Sequence, residues 1–211
     1  MIEIKLKGLG KRFQYDWIFK DLTINIPSGT KCAITGGNGS GKSTLLKCIS
    51  GINPFTEGKI EYHLNNQELP ESEVFNYLAI SAPYLELPEE FSLNELLGFH
   101  FRFKKPIPGL DHDGMMHKMY LYEHQNKPIN QFSSGMKQRL KLGLCMFSDV
   151  PLVLLDEPTS NLDEKGIQWY MEMIGEFGID RTIFICSNDS REYGFCNQRI
   201  HMDDYKLLQK L

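Results

Sequence analysis

Long hydrophobic runs are missing from this chain. No stretch of its 211 residues approaches the roughly 18 apolar residues that span a bilayer, so any membrane role must pass through a partner. An excess of basic residues is missing too. The formal net charge is −4, which argues against a general nucleic-acid binder. Cysteine is sparse and unpatterned. Cys32, Cys48, Cys145, Cys186 and Cys196 form no C-x-x-C pair, and an odd number in strand-like or helix-like settings suits a reducing cytosol. There is no internal repeat and no low-complexity segment. Met1-Ile2-Glu3-Ile4-Lys5-Leu6 alternates like a strand and carries an acid, unlike a secretory leader. The hydrophobic content of 41% supports a sizeable core, and the length suits one domain with a lobe inserted.

Against these absences stands one dense cluster of glycines. Gly36-Gly37-Asn38-Gly39-Ser40-Gly41-Lys42-Ser43-Thr44 fits the phosphate-loop pattern G-x-x-x-x-G-K-[ST]. A polyphosphate needs many converging donors, so backbone N–H groups must point inward along a tight turn that glycine permits. A helix opening at the end of that turn adds its positive dipole end. Lys42 then reaches the β- and γ-phosphates, and Ser43 offers a hydroxyl to Mg²⁺. The flanks agree: Lys31 to Thr35 reads as a strand and Thr44 to Ile49 as an apolar-striped helix.

Elsewhere the periodicity alternates between 2 and 3.6. Ile2, Ile4, Leu6 and Leu22, Ile24, Ile26 predict half-buried strands, Lys59 to Tyr62 a short edge strand, and Tyr77 to Ser81 a buried strand. Residues 83–148 show no clear strand pattern. Leu93, Leu96, Leu97, Phe101 and Met136, Leu140, Leu144, Phe147 form helical stripes, which predicts a helical lobe inserted into an α/β core. Leu152 to Asp156 and Thr182 to Cys186 are continuous apolar runs of the kind buried in parallel sheets, with a helix from Glu164 to Phe177 between them and a weaker strand at Arg199 to Met202.

Two further motifs carry chemistry. Asp156 ends an apolar strand, where a carboxylate can hold Mg²⁺, and the adjacent Glu157 can polarise an attacking water. Phe132-Ser133-Ser134-Gly135-Met136 precedes that strand. Ser133 can cap the next helix, leaving N–H groups of Ser134, Gly135 and Met136 at a second anion site. Two half-sites for one polyphosphate suggest a dimer in which each subunit completes the other's site.

On these motifs the chain resembles the nucleotide-binding subunits of ATP-binding cassette (ABC) transporters. Gly36 to Ser43 matches Walker A. Leu152 to Asp156 matches Walker B, with Glu157 at the position of the catalytic glutamate. Phe132 to Met136 is similar to the LSGGQ signature, with Ser134 and Met136 replacing a glycine and the glutamine. Ser160 to Asp163 is similar to the D-loop. The resemblance implies an ABC-type P-loop ATPase: a RecA-like α/β core, a small antiparallel β portion and a helical subdomain near residues 84–150, all within one domain, 1–211. It implies ATP and Mg²⁺ as ligands. Ser43 and Asp156 would hold the metal, Lys42 the phosphate charge, Glu157 the water, and Ser133 and Gly135 the γ-phosphate across a homodimer or paired ATPase subunit. Phe13, after Lys11-Arg12, stands where the family stacks an aromatic on adenine, with Tyr15 as the alternative.

The resemblance also implies an integral-membrane permease subunit as partner, a place on the inner face of the cell membrane, and export or another membrane task. Family grooves receive a short permease helix, here at Tyr84 to Glu95. A soluble ATP switch without hydrolysis, and an ATPase serving an assembly machine, are the alternatives. Two positions depart from the pattern. Pro83, nine residues before Ser92, replaces a glutamine, and Asn188 replaces a histidine that contacts the γ-phosphate. Asp111, His112, Asp113, His117 and His124 match no metal template and read as a solvated loop, and Lys137, Arg139 and Lys141 as a solvated helix face.

Overall fold

The computed structural model describes residues 1–206. Strands β1 (Ile2–Phe13) and β2 (Asp16–Ile26) pair antiparallel through a tight hairpin. Ile2, Ile4 and Leu6 are buried, as the alternation predicts, but both strands run longer than it suggested. β1 pairs on its other side with β4 (Glu57–Leu64), which in turn pairs with β5 (Gln67–Leu69). The stretch expected at a sheet edge is therefore internal. It gains that place because the chain turns back after Leu64 and lays β5 along its outer edge, Leu64 opposite Gln67 and Tyr62 opposite Leu69.

The second sheet is parallel throughout. Its order is β6 (Leu78–Ser81), β7 (Leu152–Asp156), β8 (Thr182–Cys186), β3 (Lys31–Thr35) and β9 (Gln198–His201). These strands read as continuous apolar runs because both faces are covered. Leu152, Leu154, Phe184 and Cys186 face a core shared with β1, β2 and helix α1 (Lys42–Ile49). Val153, Leu155, Ile183 and Ile185 face a second core with the helices below. Each fully buried Leu, Ile or Phe contributes about 1.5–3 kcal/mol relative to exposure.

Between β6 and β7 the chain forms α2 (Leu93–His100), α3 (His112–Lys118) and α4 (Ser134–Met146). Ser92 and Glu95 make a reciprocal cap at the start of α2. The expected loop at 111–117 is instead a helix. Asp111 caps it by accepting from Gly114 N at 2.8 Å, and Met115 and Met116 are buried. His117 stacks on Tyr122 with centroids 4.0 Å apart. Among the described residues no three metal-ligating side chains cluster. Helix α5 (Glu164–Phe177) follows β7, and the short α6 (Ser190–Tyr193) follows β8.

Candidate functional site

Parallel strands collect their chemistry at one edge. The loops after β3, β7 and β8 leave the same C-terminal end of the sheet, where ligands of open α/β folds bind. After Thr35, Gly36 turns the chain with φ 142°, and a β-carbon there would lie 2.7 Å from Ser40 Oγ. Gly41, with φ 101°, leads into α1, and its β-carbon would meet Ile18 Cγ2 at 2.6 Å. Only glycine fits either place. Ser40 N donates to Gly37 O at 3.1 Å and tightens the loop. The first N–H groups of α1, at Lys42, Ser43 and Thr44, have no intrahelical acceptor and form its positive end.

Lys42 is 6% exposed. Its ammonium donates to Gly36 O at 2.8 Å and Gly37 O at 3.1 Å, folded back on the loop it would leave to meet phosphate. Asn38, Gly39, Ser40, Gly41, Lys42, Ser43, Thr44 and Glu157 line one cleft of about 300 Å³ together with Ile18. Asp156 is 2% exposed, and its Oδ1 has no hydrogen-bond partner. Burial raises its pKa above the ordinary aspartate value, opposed by a hydrogen bond from Ser43. A buried carboxylate beside a hydroxyl, with one oxygen unpaired, fits a hard cation such as Mg²⁺. Glu157 is exposed, with φ 46°, and its N–H donates to Cys186 O at 2.9 Å. Asn188 Nδ2 donates to Asn38 Oδ1 at 2.7 Å, which places the residue after β8 on the glycine loop.

Ser133 caps α4 by accepting from Met136 N at 3.2 Å, so that N–H is already taken. Ser133, Ser134 and Gly135 do not line the cleft. Gly135 lies instead against the loop after β7, where a β-carbon would come 3.2 Å from Asn161 O. Phe13 does not line the cleft either. It ends β1, 48% exposed, with Lys11 Nζ 4.6 Å from its ring centroid, and Tyr15 is 91% exposed.

The ABC transporter family model matches residues 19–160. The chain belongs to the ABC transporter family. It is an ATP-binding subunit of that family, an ATPase that uses Mg²⁺. SrtF, a lantibiotic transport ATP-binding protein of Streptococcus pyogenes, is 29% identical over 190 residues, covering 88% of this chain and 80% of SrtF. YybJ of Bacillus subtilis, an uncharacterized ABC transporter ATP-binding protein, is 26% identical over 207 residues, 97% of this chain and 94% of its own. The dimeric cassette MJ0796, solved in a post-hydrolysis state with ADP and Pi, superposes with a TM-score of 0.81 at 22% identity. It covers 96% of this chain and 94% of the MJ0796 chain, and bears on the fold.

One residue of this family member escaped the sequence reading, and another, Tyr84, was expected in the permease groove but lies elsewhere. Ile18 lines the cleft from β2, and no local pattern in the sequence marks it. Tyr84 turns toward α1, with Lys47 Nζ 3.7 Å from its ring centroid. Burial and then the Asp156 charge push its phenol pKa up. The basic run of α4 is not simply solvated. Lys137 pairs with Glu89, Arg139 lies 5.3 Å from the Tyr120 ring and 5.6 Å from the Trp169 ring, and burial lowers the Lys141 pKa.

Proposed function

We propose that two such subunits close head to tail over ATP and drive an integral-membrane permease. One observation carries the reading: Ser133, Ser134 and Gly135 lie outside the cleft lined by Asn38 to Thr44 and Glu157, so one chain holds two separate halves of a phosphate site. Lys42 leaves the Gly36 and Gly37 carbonyls to meet the β- and γ-phosphates. Ser43 and Asp156 hold Mg²⁺, which supplies neutralising charge at the transferred phosphoryl group. Glu157 accepts a hydrogen bond from the attacking water and orients it. Asn188 donates a neutral hydrogen bond to the γ-phosphate. The partner's Ser133 and Gly135 complete the site. Phe13 stacks on adenine at the edge of the cleft.

The permease contact is assigned to an apolar groove of about 400 Å³. Phe75, Leu78, Ile80, Leu85, Leu87 and Leu144 line it. It takes in part of the Tyr84 to Glu95 segment, but Tyr84 itself packs on α1 and does not line it. Residues 84–150 form the helical subdomain of a single domain in this reading. No described helix is long and apolar enough to cross a membrane. In this reading the subunit sits peripherally on the cytoplasmic face, held there by the permease. Export is the direction we propose.

Glu157→Gln tests the closed dimer. The variant binds ATP and Mg²⁺, hydrolyses ATP far more slowly than wild type, and accumulates as a dimer by light scattering. A strictly monomeric variant at saturating ATP overturns the reading. For direction, ATP-driven uptake of cargo into inside-out vesicles holding the co-purified permease supports export, and uptake into right-side-out vesicles overturns it.

A further inference from the structure

The loop from Glu157 to Asp163 is gripped from two sides. Gln138 of α4, one turn beyond Ser134 and Gly135, donates through Nε2 to Pro158 O at 2.6 Å. Glu192 of α6 accepts from Thr159 N at 2.8 Å and from Thr159 Oγ1 through the same oxygen. Gln138, Thr159 and Glu192 are all buried. Glu192 makes no ion pair among the described residues, so neutral donors alone hold its carboxylate. Its backbone is fixed in turn by Tyr170, whose hydroxyl donates to Glu192 O at 2.9 Å.

Glu192 lies four residues after Asn188, the residue bonded to the glycine loop. The same short segment reaches the far end of the loop as well. Arg191 Nη1 donates to Glu164 Oε1 at 2.7 Å, at the start of α5. Between these holds sits Glu157, in a left-handed conformation that a side chain rarely adopts. Its N–H is tied to Cys186 O on one side. Pro158 O, held by Gln138, and Thr159, held by Glu192, are the next fixed points. A strained backbone persists only where its surroundings over-determine it.

We propose that Glu192 is a positioning residue for hydrolysis, clamping Thr159 so that the Glu157 carboxylate stays in register with Asn188 over the γ-phosphate. A carboxylate suits the task because one oxygen can take both the N–H and the O–H, and charge strengthens both bonds. The proposal rests on Glu157 as the water-orienting group.

Glu192→Gln keeps the shape and removes the charge, whereas Thr159→Val keeps the shape and removes the hydroxyl donor. Turnover is measured at saturating ATP, beside ATP affinity, thermal melting and ATP-trapped dimer by light scattering. Hydrogen bonds to charged groups set the expected loss: kcat falls about ten-fold in each single variant, with ATP affinity and melting close to wild type. The double variant falls little further than either single one. Glu192→Gln also accumulates the ATP-bound dimer, because binding outlasts slowed hydrolysis. In a Glu157→Gln background, measured by single turnover, Glu192→Gln changes nothing, since there is no carboxylate left to position. Wild-type kcat in both single variants overturns the proposal. So does an equal fall in the Glu157→Gln background, or a fall matched by lost melting temperature, which marks a merely structural bond. If Glu157→Gln itself turns over like wild type, the role of Glu157 fails instead.

Discussion

Replacing Asn188 by histidine should make this a faster ATPase. In the structure the Asn188 amide is engaged, donating to Asn38 Oδ1 at 2.7 Å. Meeting a γ-phosphate oxygen requires that bond to be given up, and a neutral bond of this kind contributes about 0.5–1.5 kcal/mol. What replaces it is a donor that carries no charge. The phosphate oxygen is ionised, so either donor makes a charge-assisted bond, but an imidazolium adds a full charge of its own and need not give up a bond to Asn38. The difference is about 1.5 kcal/mol, or roughly ten-fold in rate if it acts in the transition state. Asn188→His is therefore expected to raise kcat about ten-fold, with ATP affinity little changed. Phosphate release at saturating ATP and Mg²⁺, with the permease present, reads the effect. The gain has a pH signature. Histidine ordinarily titrates near 6.5, so the imidazolium prevails below that value and is lost as pH rises through it. The advantage over wild type should be largest near pH 6 and shrink toward pH 8, and wild type, with an amide, has no such inflection at this position. A histidine variant that binds ATP normally yet is no faster at either pH refutes the reasoning, and Asn188 then does not reach the phosphate.

Two other substitutions probe the nucleotide cleft. Phe13→Ala should weaken ATP affinity about ten-fold, because base–aromatic stacking contributes about 1–3 kcal/mol, with GTP affected similarly. Titration calorimetry checks it, and a loss in Tyr15→Ala with none in Phe13→Ala moves the contact to Tyr15. Gly41→Ala should abolish measurable ATP binding while the fold survives, since its β-carbon would sit 2.6 Å from Ile18 Cγ2 at a backbone φ of 101°. Ile18→Ala in the same chain should partly restore binding by removing the obstructing methyl, and native-like ATP affinity in Gly41→Ala alone contradicts the loop geometry.

Short-range features were legible without coordinates. The glycine loop between an apolar strand and a striped helix, the Asp156-Glu157 pair at a strand end, the cap at Ser133 and helix α5 each depend on neighbours within a few positions. Periodicity and turn chemistry record those neighbours directly. The α3 helix was missed although Asp111 marks its cap. Its buried methionines share the segment with histidines and acids, which weakened the helical stripe.

Tertiary structure alone decided which distant groups meet. Asn188 reaches Asn38, 150 positions away, because β8 pairs with β3 in parallel register, Lys31 opposite Ile183, so the loops that follow both strands leave the sheet side by side. Ile18 enters the cleft because β2 crosses over the start of α1. Glu192 meets Thr159 because α6 packs beside the loop that leaves β7. Lys141 lies at the groove rather than in solvent because α4 packs against β6. Hydrophobic patterning states which face of an element is buried. It does not state which element covers that face, and the contacts that complete this site are made across such faces.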